Sequence, residues 1–258
     1  MKNWFEVLTG PSVYRANTPW SPPTAIGAVA LIVSVQLTFP LVVYALSPEL
    51  YQVISGQMDR PKIWSQSGSA TIGLLQQIVT GCLVWFAAGL GNGTRRAVLS
   101  LPPVKEEGAY TYVALALLVF SVMVPVKFLW QGLLSLLHNS MGLLSVTGSN
   151  STWSWMNVLM VVIAIPLVEE FMYRGFLLSA LAKSRIGFWG AAIFTDAAWT
   201  AVHAPYQPWN ALPPIFVFGL LVSFLLWRTG SLWTCIFAHM TVNAETVLIQ
   251  IALRLVTQ

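Results

Sequence analysis

Seven stretches of this chain are apolar over lengths that suit crossing a bilayer: about 24–46, 70–90, 109–126, 153–181, 186–204, 213–228 and 231–253. A helix needs roughly 20 apolar residues to cross a hydrocarbon core, and a helix satisfies its own backbone groups there. Apolar residues make up 56% of the chain and mean hydropathy is +0.70, against about 45–50% apolar in soluble domains. No alternating ten-residue pattern suggests a transmembrane barrel. The expected fold is therefore an all-α polytopic bundle of about seven spans. Residues 127–145, interrupted by Lys127 and His138, read as an interfacial or re-entrant helix, or as an eighth span.

Charge placement sets the expected orientation. With seven spans, Lys2, Arg15, Arg95, Arg96, Lys105, Lys183, Arg185 and Arg228 fall on the side of the N-terminus, and Arg60, Lys62, Lys127 and Arg254 on the other. Cytoplasmic loops carry the excess of Lys and Arg, so the N-terminus is expected inside. The net charge of +4 thus reads as membrane topology, and no nucleic acid is expected as a partner. Cys82 and Cys235 lie in apolar runs and suggest no disulfide framework.

Against that background, a few polar residues stand out. Only 9% of the chain is charged, and five of its nine acidic residues lie outside the strongest apolar runs. Inside them are Glu169, Glu170 and Arg174 on one span, Asp196, Trp199 and His203 on the next, and His239, Asn243 and Glu245 on the last. Each ionised group costs roughly 2.5–3.5 kcal/mol to insert near a bilayer centre, so such residues mark function or a buried partner. Glu170 and Arg174 are four apart in the favourable order for an ion pair. Glu169, about 100° around the helix, is then the less neutralised acid. His239 and Asn243 share one face, and His203 precedes Ala204-Pro205 at a helix end.

These residues suffice for hydrolysis without a nucleophilic side chain. A carboxylate and an imidazole can hold and deprotonate a water. A second imidazole and an amide can donate to the oxyanion that forms. Taken singly, a histidine in an apolar helix, a Glu–Arg pair and a His-x-x-x-Asn spacing each have an ordinary structural explanation; their joint occurrence on successive spans is the signal. Asp196, two turns from His203, is expected to pair with another helix or to orient His203 through a water.

Glu169-Glu170-x-x-x-Arg174-Gly175, Trp199-x-x-x-His203 and His239-x-x-x-Asn243, in this order, resemble the three motifs of the CAAX-protease and bacteriocin-processing (CPBP, or Abi) family of intramembrane glutamic endopeptidases. The resemblance covers about 155–247 and includes the type II CAAX prenyl endopeptidases. It implies that Glu169 and His203 activate water, that His239 and Asn243 form the oxyanion hole, and that Glu170 and Arg174 orient the site or substrate. It also implies residues 1–150 as N-terminal spans and 151–258 as the catalytic core. Neither a metal nor an organic cofactor is required. The implied partners are the lipid bilayer and a membrane-associated peptide, whether CAAX-like, prenylated or leader-bearing. Family members usually carry Phe where this chain has Trp199, a difference expected to alter packing or pocket width.

Two other classes compete. Glu169, His203 and His239 could ligate zinc, although no His-Glu-x-x-His is present. Buried acids and histidines also line transport pathways or serve non-catalytic scaffold and immunity proteins, although no internal repeat with paired broken helices is visible.

Overall fold

The structure is a computed structural model of the chain and describes residues 6, 9–46, 48, 62–102, 109–138, 154–205 and 207–257. Among these residues there are eight helices and no strand: α1 Pro22–Leu46, α2 Lys62–Ala88, α3 Arg95–Val98, α4 Ala109–His138, α5 Trp155–Ala182, α6 Gly187–His203, α7 Leu212–Thr229 and α8 Leu232–Thr257. Six of them are long and apolar enough to cross a membrane; α6, at 17 residues, is shorter, and α3 is a single turn. The seven longer helices coincide in position with the seven apolar stretches of the sequence. Leu31, Leu41, Leu129 and Leu136 are each at least two-thirds exposed, as lipid-facing side chains of a membrane bundle should be.

One expectation needs correction. Residues 127–138 do not form a separate interfacial or re-entrant helix; they continue α4 without a break. Lys127 is accommodated because its ammonium reaches Glu245 of α8 at 3.0 Å, so the charge that suggested an interruption is neutralised across the helix pair. Residues 139–145 lie outside the described residues. So do the charged loop at Glu49, Asp59 and Arg60, the connector residues Lys105, Glu106 and Glu107, and the turn at 148–152.

α5 departs from α geometry twice. Residues Met160–Ala164 and Glu170–Leu177 wind as π-helix, with Ile165 N–H donating to Met160 O and Leu178 N–H to Tyr173 O. The first departure has a covalent cause. Pro166 has no N–H and cannot serve a regular i→i−4 ladder. In the π register the missing donor is the one that Val161 O would use, and the side-chain amide of Asn243 on α8 supplies it at 2.8 Å. Widened turns of this kind concentrate at functional sites.

One hydrophobic core runs through the molecule, from Tyr14 near the N-terminus to Val242 on α8. It is thickest at one end of the bundle, where every residue from 172 to 181 is buried. Gly175 lies in that stretch. A Cβ there would stand 3.1 Å from the Cδ2 atoms of Leu99 and Leu232 and 3.3 Å from Leu99 Cα. Because the last contact is backbone, relief requires helix displacement. Gly175→Ala is expected to destabilise by about 1–3 kcal/mol, the usual cost of overpacking, read as a lowered thermal midpoint in detergent.

Candidate active site

Four helices meet near the middle of α5. Arg174 is fully buried and forms the hub. Its Nη1 donates to Glu170 Oε1 at 3.1 Å, its Nη2 lies 2.9 Å from Asp196 Oδ1 on α6, and its guanidinium stacks 4.4 Å from the Trp199 ring centroid. A buried cation needs this company, because desolvation costs several kcal/mol per ion unless partners replace water. Asp196 is held in turn by Ser223 Oγ of α7, donating to Oδ2 at 3.0 Å. The acid thus pairs with other helices and makes no hydrogen bond with His203.

His239 of α8 joins the hub through Nδ1, 2.8 Å from Glu170 Oε1. A carboxylate oxygen accepts, so Nδ1 donates and Nε2 is turned away from Glu170. That Nε2 lies 4.0 Å from Glu169 Oε2, beyond hydrogen-bond range but within the reach of a bridging water. The adjacent acids are therefore placed differently. Glu170 is fully buried and locked to Arg174 and His239, whereas the Glu169 side chain keeps 15% of its surface exposed.

Trp199 connects the parts. Its indole N–H donates to Glu169 Oε2 at 2.8 Å, and its ring meets His203, His239 and Phe218 edge-on or tilted at 4.8, 5.6 and 6.0 Å between centroids. His203 donates from Nδ1 to Trp199 O at 2.8 Å, since a carbonyl only accepts; this sets the tautomer and leaves Nε2 as the basic nitrogen. Glu169 and His203 are thus linked through Trp199 and not through a contact of their own. Asn243 stands one turn beyond His239 and spends one N–H on Val161 O, outside the hub. Glu170 Oε2, Tyr173 OH, Arg174 Nε and Thr200 Oγ1 are buried here with no protein hydrogen-bond partner, and Arg174 Nη2 and Asp196 Oδ1 have only their ion pair with each other. Such atoms call for water or a ligand.

The sequence reading did not single out any residue of α7 for the site. Gly219 and Ser223, four apart on one face, are the signal that it passed over. A Cβ at 219 would stand 3.0 Å from both Arg174 Nη2 and Asp196 Cγ, so only glycine lets α7 close over the ion pair. Small residues at this spacing mark close helix approach in membranes. The Trp199 side chain also does more than fill space, because its N–H gives Glu169 a donor that phenylalanine lacks.

Two outcomes follow from this geometry. Asp196→Ala leaves Arg174 with an uncompensated share of charge and is expected to destabilise by about 3–5 kcal/mol, measured by thermal unfolding in detergent. Trp199→Phe removes one hydrogen bond to a charged group, worth about 1.5–3 kcal/mol. A double-mutant cycle with Glu169→Ala should return that coupling energy, and additive single effects would refute the bond.

Comparison with known proteins bears on this region. Residues 151–244 match the family model of Rce1-like type II CAAX prenyl endopeptidases. A protein of Escherichia coli described as "Uncharacterized 24.3 kDa protein" is 32% identical over 87 residues, which make up 33% of this chain and 40% of that relative. The match thus spans well under half the length of the curated relative. No solved structure matches the chain. Residues 151–244, which hold every member of the polar cluster described above, are a Rce1-like type II CAAX prenyl endopeptidase domain of the CPBP family.

Proposed function

We propose that the chain is an intramembrane endopeptidase of the glutamic type, acting on a membrane-associated peptide or protein. The observation that carries this reading is the unequal pair of acids: Glu170 is committed to Arg174 and His239, while Glu169 is oriented by Trp199 and left partly open. An acid held in place but not neutralised is what a general base requires. His203, with Nδ1 tied to a carbonyl, offers Nε2 as its partner in holding water.

In this mechanism Glu169 takes a proton as water attacks the scissile carbonyl carbon. The carbonyl becomes an oxyanion, and the proton passes to the departing amide nitrogen as the C–N bond breaks. His239, as imidazolium with Glu170 for counterion, and the second N–H of Asn243 would donate to that oxyanion. Removing one such donor typically costs about 10²–10³ in rate. Asn243→Ala is expected to lose activity on that scale, and the loss must be read at matched folded levels because Asn243 also secures Val161.

The substrate classes consistent with this chemistry are CAAX-like prenylated tails and leader-bearing peptides. On the far side of α5 from Glu169, an apolar groove between α2 and α5, lined by Ile78, Trp85, Leu167 and Phe171 among others, could hold a lipid chain. The decisive experiment compares peptide termini in membranes of cells carrying wild type, Glu169→Gln or His203→Ala, with chelator present. Termini found only with wild type are expected. Their disappearance in chelator would favour a zinc enzyme, and the absence of any difference would favour a non-catalytic scaffold or a transporter.

A further inference from the structure

A groove of about 390 Å³ runs between α2 and α5, lined chiefly by Ile78, Cys82 and Trp85 on one side and by Leu167, Val168 and Phe171 on the other. Ile78, Cys82 and Trp85 follow one face of α2 at intervals of four and three residues, over about 10 Å of helix. At the base the two helices touch, since a Cβ on Gly81 would stand 3.2 Å from Val168 Cγ2. At the mouth Ile78 is 59% and Trp85 44% exposed. Both belong to the apolar stretch Ala70–Ala88, which is long enough to cross a membrane, so what the groove meets at that depth is lipid. Trp85 stacks on Phe171 at 6.4 Å between ring centroids and walls one end.

Beyond that end stands a cation. The Arg95 guanidinium lies 5.7 Å from the Trp85 ring centroid, and its Nε donates to Trp85 O at 2.9 Å. Gly89 leaves it the space, because a Cβ there would stand 2.6 Å from Arg95 Cζ. Closing the last turn of α2 is an ordinary task for a basic side chain, since a helix ends in unclaimed carbonyls. That task occupies Nε alone. Arg95 is exposed, and neither of its Nη atoms has a hydrogen bond or ion pair among the described residues. Arg96 is exposed beside it, and its side chain is likewise unpaired among the described residues.

An apolar channel at hydrocarbon depth with two unspent arginines at its rim repeats the order of groups in a phospholipid. A guanidinium fork takes phosphate oxygens in pairs, and basic pockets between membrane helices take anionic headgroups. The groove does not present its occupant to the acid, because Leu167, Val168 and Phe171 lie roughly 100–160° around α5 from Glu169. We propose that the groove between α2 and α5 holds a chain of one anionic phospholipid, whose phosphate is gripped by Arg95 and Arg96. Val168 and Phe171 flank Glu169 and Glu170 in the chain, so the bound lipid braces the turn that carries both acids. Such binding is independent of whether the chain is a peptidase.

Native mass spectrometry and thermal unfolding of the full chain in detergent test this, with phosphatidylglycerol or phosphatidylcholine of the same chain length added. Wild type is expected to retain one phosphatidylglycerol per chain and to prefer it over phosphatidylcholine by about five-fold per arginine. Its thermal midpoint should rise with phosphatidylglycerol, because a ligand of the native state stabilises that state. Glycerol phosphate, which has the charge and no chain, is expected to leave the midpoint unchanged. Arg96→Gln, which leaves the α2 cap alone, should lower the preference about five-fold, and adding Arg95→Gln should abolish it; Arg95→Lys should keep it. Ile78→Trp, which fills the groove, should lose the retained lipid, and Cys82→Trp serves if that variant does not fold. Equal retention of both lipids by wild type, a preference that survives loss of both arginines, a lipid retained in the filled groove, or a full midpoint rise with glycerol phosphate would each overturn the assignment.

Discussion

The molecule is organised around one buried guanidinium. Arg174 is fully buried, and everything that neutralises it comes from a different turn or a different helix: Glu170 from its own, Asp196 and the Trp199 ring from α6. Those partners bring their own dependents. Glu170 fixes His239, and Asp196 is fixed by Ser223. The lipid-solvated environment makes the arrangement compulsory, since a charge that loses its partner there has no water to turn to. Four helices are thereby held in one relative placement by electrostatics rather than by the apolar contacts that surround them.

This division of labour explains the glutamate pair. Two neighbouring carboxylates on one helix point in different directions, and the hub can absorb only one. Glu170 becomes part of the scaffold. Glu169 is steadied by the Trp199 indole and keeps part of its surface open. Successive residues thus have different surroundings, one inside the hub and one beside it.

Much of this was legible in the sequence, and the parts that were not have physical reasons. Apolar length alone located the long helices, because a bilayer leaves few alternatives. The i, i+4 spacing found the Glu170–Arg174 pair, and motif order assigned Glu169, His203, and His239 with Asn243 to three helices, α5, α6 and α8. Lys127 misled, because a lone cation in an apolar run looks like an interruption until Glu245, 118 positions away, is known to meet it. The contribution of α7 was hidden for a related reason: glycine carries no chemistry of its own, and Gly219 matters only for what lies against it. The indole bond of Trp199 could not be read from spacing, because it depends on which way a ring turns.

The proline at 166 carries an implication for how the bundle is kept in register. By withholding a donor it leaves Val161 with an unclaimed carbonyl, and Asn243 of another helix takes it. A residue able to donate at 166 would offer that carbonyl a partner within its own helix and set the two donors in competition. The asparagine of the third motif is therefore anchored by a missing donor in the ladder of α5. Sliding of α8 along α5 is thus opposed at two levels, by this carbonyl and by the His239–Glu170 bond one turn away.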